Sequence, residues 1–300
     1  MSKISIDPTR HTLSGPTMGT RWTALFHTSP AVNLEPIRAA LAQNVGMVDR
    51  QMSTWKPDSD LMRINRAPVG DWLCVPAELM AVLTEGLDIG LRSGGAFDIA
   101  MGDLVTAWGF GAKAADTQAI RAALGKKRVA AHEVLEFDAT AYKVRKHTPL
   151  ALDLSGIAKG YAVDLMTDTL RGFGVECGLL GLDGEMRGFG LRPDGTAWSV
   201  AVERPDYNAR APLSMIALRN SAVATSGDYR HWVEVGPRRL SHTMDPARGS
   251  PLSHAPASVT VLADHLHGGG CLGHGADGGW GGKGCGNGAR TGACRAVLAA

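Results

Sequence analysis

Residues 150–164 read Leu150-Ala151-Leu152-Asp153-Leu154-Ser155-Gly156-Ile157-Ala158-Lys159-Gly160-Tyr161-Ala162-Val163-Asp164 and continue to Phe173, and the reading of this stretch decides the fold. Leu150 to Leu154 reads as the end of a strand. Ser155 reads as the N-cap of a helix running to about Phe173, with Ile157, Tyr161, Leu165 and Leu170 on one face. A tight turn through Ser155 and Gly156 would expose the first amide groups of that helix. Helix N-termini favour anions, so the corner is a candidate diphosphate cradle, and Lys159, one turn in, adds a point charge. The plainer alternative is that Ser155 only caps and Lys159 is a solvated surface lysine.

Upstream, Gly19 to His27 alternates Trp22, Ala24 and Phe26 as a strand does. A helix follows from Asn33, a fair N-cap, to about Met52, with Ile37, Leu41, Val45, Val48 and Met52 at helical spacing. A second helix starts at Pro76, carries Leu79, Val82, Leu83 and Leu87, and ends at Gly94-Gly95. Asp116 to Leu124 is a third. Downstream, Leu179–Leu182, Trp198–Val202, Leu213–Leu218, Trp232–Val235 and Ser258–Leu262 read as strands, as do parts of 133–154. Helices and strands mix without a βαβ repeat, which predicts an α+β fold of mixed, largely antiparallel sheets flanked by helices.

The 300 residues suffice for one large domain or two small ones. A net charge of +2 and 6% aromatic residues give neither a basic field nor a stacking surface for nucleic acid. Met1 to Arg10 lacks the apolar run of a signal peptide and no later stretch suits a bilayer, so a cytoplasmic protein without a membrane span is expected. Cys74 and Cys177 read as small buried residues rather than a disulfide.

Polar and glycine clusters fall at element ends, where sites are usually built. They are Met18-Gly19-Thr20, Ser53 to Asn65, Gly95-Ala96-Phe97-Asp98-Ile99, the Asp153 segment, Thr225-Ser226-Gly227-Asp228-Tyr229 and Ser241-His242-Thr243-Met244-Asp245-Pro246. Taken singly, Met18 and Trp55 read more readily as core residues, and Asp98 as a cap or turn residue. His242 reads as a structural histidine, a general base or a phosphate donor, and Thr225-Ser226-Gly227 as a phosphate-binding turn or a hairpin.

Together the six clusters, with Trp108-Gly109-Phe110-Gly111, resemble the FAD:protein FMN transferases of the ApbE type from Met18 to about Ala263. The resemblance implies a T-fold-like α+β domain over residues 1–265. It implies transfer of FMN from FAD to a Ser or Thr of a target protein, with Mg²⁺ and release of AMP. By the resemblance, Met18 and Trp55 contact flavin, Ala96, Phe97 and Asp98 line the FAD site, and Asp153 and Lys159 match further FAD contacts. Thr225 and Ser226 join that set, the Gly156 carbonyl helps hold Mg²⁺, and His242 to Pro246, including Met244, closes over the diphosphate. Asp153 or His242 would take the hydroxyl proton. Leu182-Asp183-Gly184-Glu185 departs from the Gly-Gly-Asp run more usual there, which implies a changed loop shape. Other readings are a non-catalytic flavin-binding protein and a metal-dependent FAD hydrolase; family members are often exported or lipid-anchored.

Composition breaks at residue 266: residues 266–300 hold thirteen glycines, too little apolar surface to order themselves. The resemblance implies Ala-Asp-Ala-x-x-Thr after the strand ending near Leu262, its Asp and Thr binding Mg²⁺. If the last two bases of each codon from His265 are joined to the first of the next, the chain can read Thr-Cys-Met-Ala-Ala-Asp-Ala-Trp-Ala-Thr-Ala-Leu-Met. A frameshift near His265 is therefore expected. The competing metal tail of His267, Cys271, His274 and Cys285 matches no common zinc spacing.

Overall fold

The structure, a computed structural model, describes residues 9–112, 114–126, 128–206, 209–227, 232–235, 238–252, 257–266 and 295–299. Strands β1 (Arg10–Thr17) and β2 (Thr20–His27) form a hairpin that turns at Met18-Gly19, both at positive φ. Helices α1 (Leu34–Met52) and α2 (Asp60–Arg66) follow, then β3 (Leu73–Cys74), α3 (Ala77–Arg92), α4 (Gly102–Ala107), α5 (Thr117–Leu124) and α6 (Ala131–Val134). Strands β4 (Leu135–Asp138) and β5 (Lys143–Lys146) join β3 in a small antiparallel sheet, and α7 (Ala158–Gly172) comes next. Beyond it run β6 (Cys177–Leu182), β7 (Glu185–Phe189), β8 (Trp198–Glu203), β9 (Pro212–Leu218), β10 (Ser221–Gly227), β11 (Trp232–Val235) and β12 (Arg238–Ser241). The last elements are β13 (Met244–Asp245), β14 (Ser250–Pro251), β15 (Ser258–Ala263) and β16 (Arg295–Ala299).

One seven-stranded sheet, ordered β1-β2-β6-β7-β10-β15-β16 with every neighbour antiparallel, carries the fold. Helices α1 and α7 pack on one another over one face, against Trp22, Ala24 and Phe26 of β2, Leu180 and Leu182 of β6, and Ala222 and Ala224 of β10. The β8–β9 hairpin covers the other face, where Trp198 and Leu218 meet Cys177 and Val223, and the Trp198 indole donates to the Phe189 carbonyl at 3.2 Å. The helical period of α1 is satisfied: Ile37, Leu41, Val45, Val48 and Met52 are all buried, and the Asn33 side chain accepts from the Glu35 amide. α3 begins after Pro76 and stops at Gly94 and Gly95, whose φ of 63° and 84° admit no easy continuation by an L-residue. The architecture is the expected α+β one.

Several expectations fail locally. Residues 150–154 pair in no sheet, because their backbone groups go to side chains and loops. Ser155 does not cap the helix: it sits in a turn with its hydroxyl on Asp153, and α7 opens at Ala158 after Ile157. Thr225-Ser226-Gly227 is the end of β10 rather than a turn. Cys74 is exposed, since the two-residue β3 turns Leu73 inward and Cys74 outward, while Cys177 is buried as expected. Among the longer elements, β1, α2, α4, β7 and β10 went unread. β16 lies within the glycine-rich tail yet pairs with β15; residues 267–294 lie outside the described residues.

A buried ion pair ties the final segment to the core. Arg187 on β7 donates to Asp164 on α7 at 2.7 Å, their side chains 5% and 7% exposed, and the other Asp164 oxygen accepts the Leu266 amide at 2.9 Å. Removing one partner strands a buried charge, so Asp164→Ala is expected to cost about 3–5 kcal/mol in the free energy of denaturant unfolding. A loss under about 1 kcal/mol would show that the pair does not hold the fold.

Candidate active site

The corner at Asp153 is built by three neighbours that clamp residues 151–153. The Asn65 side chain, at the end of α2, donates to the Leu152 carbonyl at 2.9 Å and accepts the Leu152 amide at 2.7 Å. On the opposite edge the Gly102 amide bonds the Ala151 carbonyl and the Asp153 amide bonds the Ile99 carbonyl, both at 2.9 Å. Gly102 has to be glycine for this approach, because a Cβ there would lie 2.7 Å from the Leu152 oxygen. Lys146 in turn donates to the Asn65 carbonyl at 3.0 Å.

Held in this way, Asp153 is 9% exposed, and its Oδ1 accepts both the amide and the hydroxyl of Ser155. The turn then passes Gly156 and enters α7. Lys159 does not stand free in solvent. Its ammonium donates to Asp183 at 2.8 Å and lies 3.7 Å from Glu185, both on the β6–β7 hairpin. Burial opposes its charge, but Glu185 and Asp183 together raise its pKa, so it stays an ammonium; burial pushes the Glu185 carboxyl up. The neighbouring Gly184 approaches β10, where an added Cβ would lie 3.0 Å from the Thr225 carbonyl. Thr225 itself shares a hydroxyl bond with Thr260, 3.1 Å. Ser226 is 7% exposed, its hydroxyl without a hydrogen-bond partner among the described residues, on the sheet face that carries Ala224 and α7.

A second assembly lies beside the corner. Ala96, Phe97 and Asp98 follow α3; the Phe97 ring is buried in the main core. Asp98 accepts amides from Ala100 at 2.8 Å and Ala131 at 3.3 Å. A cavity of about 360 Å³ runs between Asp98, Gly94, Gly95 and Arg128 on one side and Pro246 to Gly249 on the other. Arg128 is fixed by both Asp103 oxygens, at 2.9 and 3.0 Å, and by the Ala100 carbonyl. The segment after His242 is fastened over this region: Met244 packs on the α4–α5 cluster, and the Trp108 indole donates to the Gly249 carbonyl at 3.3 Å.

The structure thus brings together the Asp153 corner, the Ala96–Asp98 loop, the β10 end and the segment following His242. Met18, partly buried, packs against the same core. Trp55 stands apart, 64% exposed in the loop after α1. Gly102 and Arg128 escaped the sequence reading, while Asn65 entered it only as the end of a cluster and Asp183 and Glu185 only as a change of loop shape, because each acts across a long stretch of chain. The donors present suit a dinucleotide and a hard cation. The Gly156 carbonyl and the Asp153 carboxylate are oxygen ligands of the kind Mg²⁺ prefers, and Ser226 offers a buried unpaired hydroxyl. Among the described residues no three His, Cys, Asp or Glu converge on one metal.

The model of the ApbE family matches residues 18–271. The FAD:protein FMN transferase of Vibrio cholerae is 34% identical over 259 residues, spanning 83% of this chain and 75% of that protein. The FAD:protein FMN transferase of Klebsiella pneumoniae is 32% identical over 256 residues, 84% and 73% of the two chains. Among solved structures, the apo flavinyl transferase ApbE of Pseudomonas stutzeri superposes with a TM-score of 0.77 at 32% identity, covering 90% of this chain and 84% of that one. The ApbE protein of Thermotoga maritima gives 0.80 at 26% identity, covering 91% and 88%.

Burial raises the Asp98 pKa, against the backbone amides, His132 and Arg128, which lower it. Between the unfolded and the raised folded value the native state binds the extra proton, so stability falls as pH climbs through that window. Unfolding free energies of wild type and Asp98→Asn, compared from pH 3 upward, should diverge in favour of the variant as pH rises. A difference independent of pH would refute the assignment.

Proposed function

This chain belongs to the ApbE family, and we infer that it is an FAD:protein FMN transferase, moving the FMN half of FAD onto a protein acceptor. The observation that carries the reading at the level of residues is the clamped corner Asp153–Lys159, set beside the cavity at Asp98. We propose that the FAD diphosphate lies along this corner, with amide donors at the start of α7 and the Lys159 ammonium facing its oxygens. Met18, Trp55, Ala96, Phe97 and Asp98 belong to the flavin nucleotide site in this proposal, together with Thr225 and Ser226. His242 and Met244 lie on the segment that closes over it.

The acceptor is a Ser or Thr hydroxyl of the target protein. Its oxygen attacks the FMN-side phosphorus, the P–O bond of the diphosphate breaks, and AMP departs with the bonding pair. Asp153 is the proposed proton acceptor, because both Ser155 bonds fall on Oδ1 and leave Oδ2 for the hydroxyl proton. His242 is the other candidate. Mg²⁺, held in part by the Gly156 carbonyl, would neutralise charge on the phosphate oxygens. The remaining protein donors to the cation are proposed to belong to a segment that a frameshift near His265 has replaced. Leu266 is 1% exposed and its amide is held by Asp164, so the packed core extends to the point where composition changes.

The test is incubation of the chain with FAD, Mg²⁺ and an acceptor protein, alongside a version with the restored reading frame. A fluorescent flavinylated band with AMP release, stronger in the restored version, is expected. AMP without acceptor would indicate a hydrolase, FAD binding without AMP a carrier, and an intact frame in resequenced DNA would remove the frameshift. Trp55 is so exposed that Trp55→Ala should change stability by no more than about 0.5 kcal/mol. Its FAD affinity should nevertheless drop several-fold in a flavin fluorescence titration; unchanged affinity would take Trp55 out of the site.

A further inference from the structure

The tip of the β6–β7 hairpin is built unusually for a turn that faces a nucleotide site. Asp183 occupies φ 60°, a left-handed conformation that glycine or asparagine adopts more easily. Its carboxylate takes the Lys159 ammonium at 2.8 Å, while Glu185 stands at 3.7 Å. The two carboxylates are not equivalent. Glu185 is 12% exposed and fixed by the Gly184 amide at 3.1 Å, whereas Asp183 is 37% exposed at the hairpin tip. Glu185 is thus the buried, fixed partner, and Asp183 a more exposed one that can be displaced. Two carboxylates crowd one ammonium at this end of the corner before any substrate arrives.

We propose that Asp183 is a latch on Lys159: the diphosphate of the incoming dinucleotide must take the ammonium from Asp183, and this exchange sets the affinity for FAD. The proposal rests on the reading that Lys159 faces the FAD phosphates. It makes Asp183 an affinity-determining residue that works by competing for Lys159 with the substrate. A ligand without phosphate gains nothing from opening the latch.

Flavin fluorescence titrations on the full chain test it, with FAD and with riboflavin as the phosphate-free probe. Asp183→Asn keeps the shape and the left-handed backbone and removes the charge. It should tighten FAD binding about 3- to 10-fold at low salt. The gain should shrink above 0.1 M salt, where the Debye length falls to about 10 Å, and riboflavin binding should not move. In a Lys159→Met background the same substitution should yield under half the gain. Equal gains in both backgrounds would mean simple repulsion between Asp183 and the ligand, and no gain with Lys159 present would also overturn the latch. If Lys159→Met alone leaves FAD affinity intact, the phosphate-facing reading itself fails; if that variant weakens FAD while Asp183→Asn is silent, only the latch fails.

Discussion

The amide of Asn65 closes on both backbone groups of Leu152, and the placement of every group in the corner follows from that double bond. Residues 150–154 belong to no helix or sheet, so their donors and acceptors need partners from elsewhere. Asn65 supplies one pair. The loop from Ile99 to Gly102 supplies the other, at a distance that only glycine permits. A segment gripped from both edges has little freedom left, and Asp153 inherits that rigidity. Preorganisation of this kind is what phosphoryl transfer asks of a protein, since the chemistry lies mostly in positioning charge.

Charge is divided between two layers of α7. The inner layer is the buried Asp164–Arg187 pair, with the second Asp164 oxygen on the Leu266 amide. Such a pair contributes little net energy but is costly to break, so it serves register: helix, sheet and final segment agree on one arrangement. The outer layer is Lys159 with Asp183 and Glu185, partly open to solvent. There the attraction is weaker and exchangeable, as a group that has to receive and release a charged substrate requires. One helix thus carries a buried ion pair for the fold and a more exposed one at the proposed site.

The large elements were legible because their signals are local. The apolar period of α1, the Pro76 start and Gly94-Gly95 stop of α3, and the alternation of β2 each lie within one window of sequence. The corner was legible as a site for the same reason, although its first residues were misread as a strand. Leu150 to Leu154 has strand composition, but what decides its state is Asn65, 87 positions away, and Gly102. Ser155 looked like a cap because capping residues are small and polar; here a buried carboxylate two residues earlier captured its hydroxyl instead. The cavity at Asp98 was half legible. Its glycines and Asp98 form a motif, whereas Arg128 and the turn from Pro246 to Gly249 meet them only through the folding of α4 and α5.

The helix also explains why the sequence change at residue 266 bears on chemistry more than on folding. Lys159 and Asp164 are separated along α7 by about 7.5 Å at the usual helical rise. Leu266 is pinned to Asp164, and each further residue reaches at most about 3.6 Å. The distance from Leu266 to the corner is thus one that two or three residues could span, and the resemblance expects acidic and hydroxyl ligands to begin there. The core up to Leu266 closes without them, with Leu266 itself buried and the Asp164 carboxylate matched by Arg187. In the proposed reading, those few positions decide whether a cation at the corner would meet protein oxygens on one side or on two, and with that how well the proposed nucleotide site would support transfer.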